Sequence, residues 1–339
     1  MNTRRKLLNA AGLATLAALA RPTTSQIFQH QQSAPAPVAP IRFKAAVENA
    51  TFEWFFLLVD AGKDQGIWAK NGLEPEFVPA AGSSAQLIER IDSGVKIGFV
   101  NAAEVTLARS SGVPIKTVAA YFGETTARIF VAANGSIKSA AELNGKKVGI
   151  VATTHTSYRT VLYMNEKLAI RAEPVPLGNL ANNLAALKSG QIDAFYSAEG
   201  APLALVDSGE LHLLLPLADI YPKPYTAVVI WTTSDLIEQN PDLVTRFVRA
   251  SLEIVAYLKD HPGYAAELYS KRTGAPRNVA DRAVASLNQV LTSGGRGSGQ
   301  DLVAAVAGNW KFMTESGAVP AGTEVKIEDV VDARFLPRQ

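Results

Sequence analysis

The chain has 339 residues, 47% hydrophobic and 19% charged, with 33 Lys and Arg against 31 Asp and Glu for a net charge of +2. That is enough length for two lobes with separate cores, and with no basic run beyond the N-terminus it argues against nucleic acid or an anionic membrane as partner. Cysteine is absent, which excludes disulfides, zinc–thiolate and iron–sulfur sites, a cysteine nucleophile and a lipid anchor of the bacterial lipoprotein kind.

The first twenty residues, MNTRRKLLNAAGLATLAALA, place Arg4, Arg5 and Lys6 ahead of an apolar run that ends in Ala18-Leu19-Ala20. This is the order of a secretory signal peptide with a small-x-small cleavage site, and the run is too short to span a bilayer comfortably. The adjacent arginines also resemble the twin-arginine export motif. Residues 1–20 are therefore expected to be a signal peptide and the chain to be exported. Residues 21–40, rich in Pro, Ser, Gln and Ala, are expected to form a disordered linker.

From Ile41 onward the pattern alternates. IRFKAAV reads as a strand, FFLLVDAGKDQGIWAKNG as a helix closing at Gly72, LEPEFVPA as a strand, and SSAQLIERIDSG as a helix capped by Ser83 or Ser84. KIGFV, AAEVTLARSSG and IKTVAAYF follow as strand, helix and strand. The pattern restarts at Arg128 with RIFVAA, a short helical turn SAAELNG, strand KKVGIVA, helix TSYRTVLYMNEKLAI, strand AEPVPL, helix NLANNLAALKSG, strand DAFYS, helix APLALVDSG and strand LHLLLPL. A last strand, TAVVIW, precedes a helical tail in which Asn240-Pro241 opens a long helix. Strands and helices at this spacing predict parallel β-α-β units.

One unit is written twice. Ser93-Gly94 and Ser189-Gly190 are each followed by a Phe five residues after the Gly, a small polar stretch, and an apolar helical run that closes at Gly112 or Gly209. Two similar α/β lobes with a cleft between them are expected, and ligands in such sheets sit beyond the carboxyl ends of the strands. The cleft segments are then Glu48 to Trp54, Ala81 to Ser84, Asn101 to Glu104, Thr153 to Ser157 and Ser197 to Gly200.

At these residues a resemblance emerges. AGKDQGIWAKNGLEPEFVPA is similar to the opening of periplasmic substrate-binding proteins of ABC importers, in the group that binds nitrate, sulfonates, taurine and thiamine precursors. LNGKKVGI, ALKSGQIDAFYSAEGAP, NPDLVTRFVRASLEIVAYLKDHP and EDVVDARF follow in that family's order. The chain departs from it at Val95-Lys96-Ile97, where Gly-x-x-Asp is common, and at Gly200, where Pro is common. The resemblance implies an α/β periplasmic-binding-protein fold of type II. Two Rossmann-like lobes, 41–124 with 226–339 and 125–225, would be joined by two crossover strands, with hinges at Gly123 to Arg128 and Lys223 to Tyr225. It further implies a periplasmic monomer that takes a small-molecule solute to the transmembrane subunits of an ABC permease, without catalysis or cofactor.

Among the candidate ligand residues, the turn Thr153, Thr154, His155, Thr156 and Ser157 offers backbone N–H groups and hydroxyls suited to a sulfonate or carboxylate, or else ordinary capping by Thr154 or Thr156. It points to a small organic anion, with a thiamine-type pyrimidine as the alternative. Asn49, Thr51, Gly82, Ser83, Ser84, Asn101 and Ser197 are expected at the strand ends. Phe52, Trp54, Tyr196, Tyr225 and Trp231 can clamp a flat ligand or fill a core. Glu48, Glu53 and Glu199 can accept from a ligand N–H, Glu199 alternatively bracing the hinge, and Arg128 can meet an anion or face solvent. His30, His155, His212 and His261 form no metal-ligand pair at helical spacing, and there is no nucleophile elbow, Walker loop or dinucleotide fingerprint. GGRGSG near Gly294 reads as a loop between helices. The other classes in play are a sensor's exported ligand-binding domain and a same-fold thiamine-pyrimidine synthase, whose cysteine-rich segment is missing here.

Overall fold

The alternation in the first strand becomes β1 (Ile41–Val47), followed by α1 (Glu53–Asp64), α2 (Ile67–Lys70), β2 (Leu73–Pro79), α3 (Ser84–Asp92), β3 (Ile97–Asn101), α4 (Ala102–Ser110) and β4 (Ile115–Ala120) in a computed structural model of the chain. The structure describes residues 39–48, 53–80, 83–291, 299–320 and 322–337, and of 53, 54, 299 and 300 only the backbone. The signal-peptide reading, most of the linker, Asn49, Thr51, Phe52, Gly82, the side chains of Glu53 and Trp54, and nearly all of the GGRGSG loop lie outside the described residues.

The second half supplies β5 (Arg128–Ala132), a 3-10 turn at Ala140–Leu143, β6 (Lys147–Ile150), α5 (Thr156–Leu168), β7 (Glu173–Pro176), α6 (Leu180–Ser189), β8 (Ala194–Ser197), α7 (Pro202–Asp207) and β9 (Leu211–Pro216). The chain then gives β10 (Val228–Thr233), α8 (Ser234–Gln239), α9 (Pro241–Asp260), α10 (Pro262–Thr273), α11 (Arg277–Val290), α12 (Gly299–Glu315) and α13 (Ile327–Val330). Among the described residues no helix is long and apolar enough to cross a membrane.

Two five-stranded sheets result, ordered β2-β1-β3-β10-β4 and β7-β6-β8-β5-β9. β1 pairs in parallel with β2 and β3, and β6 with β7 and β8, as β-α-β units require. The all-parallel expectation fails for one strand in each sheet. β10 runs antiparallel between β3 and β4, and β5 antiparallel between β8 and β9. Each of these two strands arrives straight from the other half of the chain, so no crossover helix turns it parallel. The repeated unit occupies equivalent places: Phe99 on β3 faces Val47 and Ile230, and Phe195 on β8 faces Gly149 and Phe130. The glycines that close its helices, Gly94 and Gly190, sit at φ 92° and 74°, left-handed backbone that a side chain would strain.

One expected helix splits. Gly66 takes φ 63° between α1 and α2, and the turn drops Trp68 into the core against Phe77 and Phe247, at centroid distances of 5.5 and 5.4 Å. Phe247 on α9 also stacks on Phe99 at 4.9 Å, and its full burial contributes roughly 1.5–3 kcal/mol. Trp231 on β10 is fully buried, so of its two readings the structure takes the core one.

The C-terminal helices bind both halves. In α12, Leu302 and Val306 pack on Val330 and Val331, while Phe312 stacks on Tyr221 at 4.6 Å and meets Tyr163 edge-on at 5.0 Å. Between them, buried Asn309 accepts from Thr106 Oγ1 (2.7 Å) in α4 and donates to the Tyr225 hydroxyl (3.3 Å) and the Thr226 carbonyl (3.4 Å). α11 reaches α7, where Arg282 pairs with Asp207 at 2.8 Å and the Ala283 Cα lies 2.5 Å from where a Gly200 Cβ would stand. The departure at Gly200 thus has a packing cause. Gly308 is more confined, because a Cβ there would sit 1.9 Å from the Pro224 carbonyl oxygen. Gly308→Ala is expected to push α12 off the second crossing and lower the unfolding free energy by about 2 kcal/mol, read by chemical denaturation.

Candidate functional site

β3 ends at Asn101 and turns directly into α4, which brings Asn101 and Ala103 to the carboxyl edge of the first sheet. In the second sheet β8 delivers Tyr196, and the turn after β6 delivers His155 and Thr156. The two crossings close the gap between the sheets, Glu124 to Thr126 on one side and Tyr221, Tyr225, Ala227 and Val228 on the other. Phe55 from α1 and Phe122 complete the lining of a cavity whose space, counted with its open mouth, is about 590 Å³.

Its wall is aromatic and uncharged for the most part. Phe55, Phe122, Tyr196, Tyr221 and Tyr225 all line it, with Tyr221 and Tyr225 packed edge to face at 4.9 Å. The Tyr221 hydroxyl bonds Thr160 Oγ1 at 2.6 Å. Burial pushes the hydroxyls of Tyr196, Tyr221 and Tyr225 well above the ordinary tyrosine range, so all three stay neutral. Among the described lining residues none is Lys or Arg. Burial also pulls the His155 pKa down to about 4, which leaves its ring neutral at physiological pH.

Five of the residues expected at the cleft meet there: Asn101, His155, Thr156, Tyr196 and Tyr225. The others have different surroundings. Thr153 and Thr154 are exposed, and the cap of α5 is His155, whose Nδ1 accepts from the Ser157 N–H at 3.0 Å. Buried Ser157 uses its hydroxyl on the Val151 N–H (3.1 Å) and His155 (3.0 Å), so this part of the expected anion turn is engaged internally. Ser83 caps α3 by accepting from the Gln86 N–H, with Ser84 the first residue of that helix. Ser197 accepts from the Glu199 N–H at 3.1 Å. Arg128 donates to the Thr126 carbonyl at 2.7 Å and to Ser286 Oγ at 2.6 Å, bonds within the protein rather than a solvent-facing cation.

Glu48 lies behind the wall, fully buried at the end of β1. Its carboxylate accepts from the Asn101 main-chain N–H (2.6 Å) and side-chain Nδ2 (2.5 Å). Burial outweighs those two bonds and raises its pKa to about 7. Close by, Glu104 in the first turn of α4 is also buried; its Oε2 has no hydrogen-bond partner among the described residues, and burial together with the Glu48 charge raises its pKa well above the ordinary value. The sequence places Glu104 at the end of the cleft segment Asn101 to Glu104 without singling it out, because an acid in a first helical turn already has an ordinary explanation in the helix dipole. Sequence reasoning missed Phe55, Phe122 and Tyr221; the sole signal for Tyr221 was its place in YPKPY at the second crossing.

These two acids bind protons more tightly folded than unfolded, so their contribution to stability is present below about pH 4.5 and lost as pH rises, for Glu48 through about 7. For Glu48 alone the loss approaches about 3 kcal/mol by pH 8. Glu104→Met removes one buried acid and is expected to raise the melting temperature at pH 8 and leave it nearly unchanged at pH 5, in a calorimetric pH series.

A family model described as NMT1/THI5 like matches residues 56–265. A curated relative, the riboflavin-binding protein RibY of Chloroflexus aurantiacus, is 28% identical over 179 residues, which cover 52% of this chain and 50% of the relative. The match therefore spans about half of that protein's length. Among solved structures, the alkanesulfonate-binding protein SsuA of Xanthomonas axonopodis pv. citri, bound to MOPS, superposes with a TM-score of 0.69 at 15% identity, covering 87% of this chain and 99% of that one. The aliphatic sulphonate-binding protein SsuA of Escherichia coli superposes with a TM-score of 0.68 at 18% identity, covering 86% and 92%. Likeness at this level of identity establishes a shared periplasmic-binding-protein architecture.

Proposed function

The chain belongs to the NMT1/THI5-like family and has the fold of periplasmic solute-binding proteins, and on that premise we propose that it captures a flat, neutral heteroaromatic solute of the flavin or pyrimidine kind. The receptor works as an exported, periplasmic monomer without catalysis. It closes its two lobes over the solute, 41–124 with 226–339 against 125–225, and passes it to the membrane subunits of an ABC permease. α11 and α12, which reach both halves, limit how far the hinges open.

The observation that carries this reading is the wall itself: five aromatic rings and, among its described residues, no Lys or Arg. A ring inserted among them gains about 0.5–1.5 kcal/mol per aromatic contact beyond the area buried. A sulfonate or carboxylate would have to shed water with no described cation to meet it, at a cost of several kcal/mol. The sequence argument for an organic anion rests on the Thr153 to Ser157 turn, whose buried members bond to one another. The riboflavin-binding relative supports the heteroaromatic choice.

A thermal-shift screen against riboflavin, thiamine-type pyrimidines, aliphatic sulfonates and aromatic carboxylates tests it. A flavin or pyrimidine at 100 times its dissociation constant is expected to add about 2.7 kcal/mol of stability. Tyr196→Ala should weaken that ligand at least about tenfold, the equivalent of 1.4 kcal/mol. A sulfonate that stabilises the protein more than any ring compound would sink the proposal.

A further inference from the structure

Asn101 belongs at once to the pocket wall and to a buried pairing with Glu48. An ionised carboxylate only accepts hydrogen bonds, and here each of its oxygens takes one from the same residue, the main-chain N–H at 2.6 Å and Nδ2 at 2.5 Å. That leaves the side-chain amide one orientation, with its NH2 toward Glu48 and its Oδ1 turned away. No described residue donates to that Oδ1. We propose that Glu48 is a positioning residue that sets the hydrogen-bonding sense of the pocket wall. As a carboxylate it holds Asn101 Oδ1 outward to accept a ring N–H of the ligand. As a neutral acid its own O–H must find an acceptor, and it turns the Asn101 amide over so that the NH2 faces the pocket instead. This rests on the heteroaromatic reading above and refines it: the preferred solute carries an imide or lactam N–H on the edge it presents to α4.

The surroundings let Glu48 act in this way. Among the described residues the ionisable groups that face it are Glu104 on α4 and Tyr196 on β8, and His155 and Glu124 stand on the same pocket wall. Tyr196 is neutral, as is the His155 ring. Glu104 has a buried oxygen with no partner among the described residues, and two carboxyls in that space do not both ionise. The ionised member is the one with two N–H donors already aimed at it, which is Glu48. Its exchange between the two forms falls near neutrality, since its pKa is raised to about 7, mainly by burial.

Two measurements separate this role from a merely structural one. The first compares 10-methylisoalloxazine, which bears the imide N–H, with its 3-methyl derivative, by fluorescence titration at pH 8 and pH 5.5. The wild type is expected to favour the N–H compound at least tenfold at pH 8 and less than threefold at pH 5.5. Glu48→Gln, which mimics the neutral acid, should show the small preference at both. A preference that ignores pH and survives Glu48→Gln overturns the proposal, because simple exclusion of the methyl group does not titrate. The second measurement needs no ligand. The Asn101 side-chain amide resonances of 15N-labelled protein should shift with an inflection near pH 7 in the wild type and stay flat in Glu48→Gln, and a flat wild-type profile also overturns it. Failure of both compounds to bind counts against the heteroaromatic reading alone, and the resonance titration then decides the role of Glu48.

Discussion

Each sheet in this protein is completed by a strand that the other half of the chain delivers. β10 enters between β3 and β4, and β5 between β8 and β9, each hydrogen-bonded on both sides. A strand held on two edges cannot slide, so each crossing, which leaves from an edge strand, β4 or β9, is anchored inside a sheet at its far end. The cavity forms where those anchored segments pass from one sheet to the other. Its floor, around Thr126 and Tyr225 to Val228, is therefore stiff backbone with defined hydrogen bonds, such as the Thr126 hydroxyl on the Ala198 carbonyl. The duplication extends to irregularities: the inserted strand bulges between Ile230 and Trp231 in one sheet and between Ile129 and Phe130 in the other. Such bulges bend a strand where it leaves its ladder.

Polar groups around the cavity divide into two kinds. Most are bonded within the protein, as with Ser157 and His155, Thr160 and Tyr221, or Asn309 across three segments. These bonds fix rotamers and present rings to the cavity at set angles, as the planar ligand proposed above would require. One exception lies behind Asn101. Two carboxyls share a region with few donors, and the helix that carries Glu104 also carries Thr106 to the α12 brace. An unmatched buried oxygen is costly, and its place beside the pocket wall, rather than in a distant core, suits a functional origin.

Much of the fold was legible in the sequence because period and caps agree. Ser83, Asn179 and Asn240 each accept from the backbone N–H three residues on, and Gly190 closes one helix in left-handed backbone. The strand that runs against its neighbours was not legible, since TAVVIW and RIFVAA look alike whichever way a ladder runs. Direction came from where the chain had been before. At the site, strand ends identified Asn101 and Tyr196 by position alone. The Thr153 to Ser157 turn misled, because hydroxyls and N–H groups that suit an anion suit each other equally well, and a linear sequence does not show which partners win. Phe55 was invisible for another reason: it sits in a run of apolar helix residues, and nothing in that run marks one ring as facing a cavity instead of a core.

The scarcity of cations in the described wall of the cavity bears on how fast a solute arrives. Receptors that gather charged solutes draw them in by long-range fields, and they slow when added salt screens those fields. Without Arg4, Arg5 and Lys6 of the expected signal peptide the net charge passes from +2 to −1, and a largely aromatic wall whose one described carboxylate is Glu124 would exert little such pull on the uncharged ring proposed above. Encounter is then left to unaided diffusion and to the fraction of collisions that present the ring edge-first. For such a solute, capture would proceed at the same pace in dilute and in briny surroundings, and selectivity would reside in how long it stays.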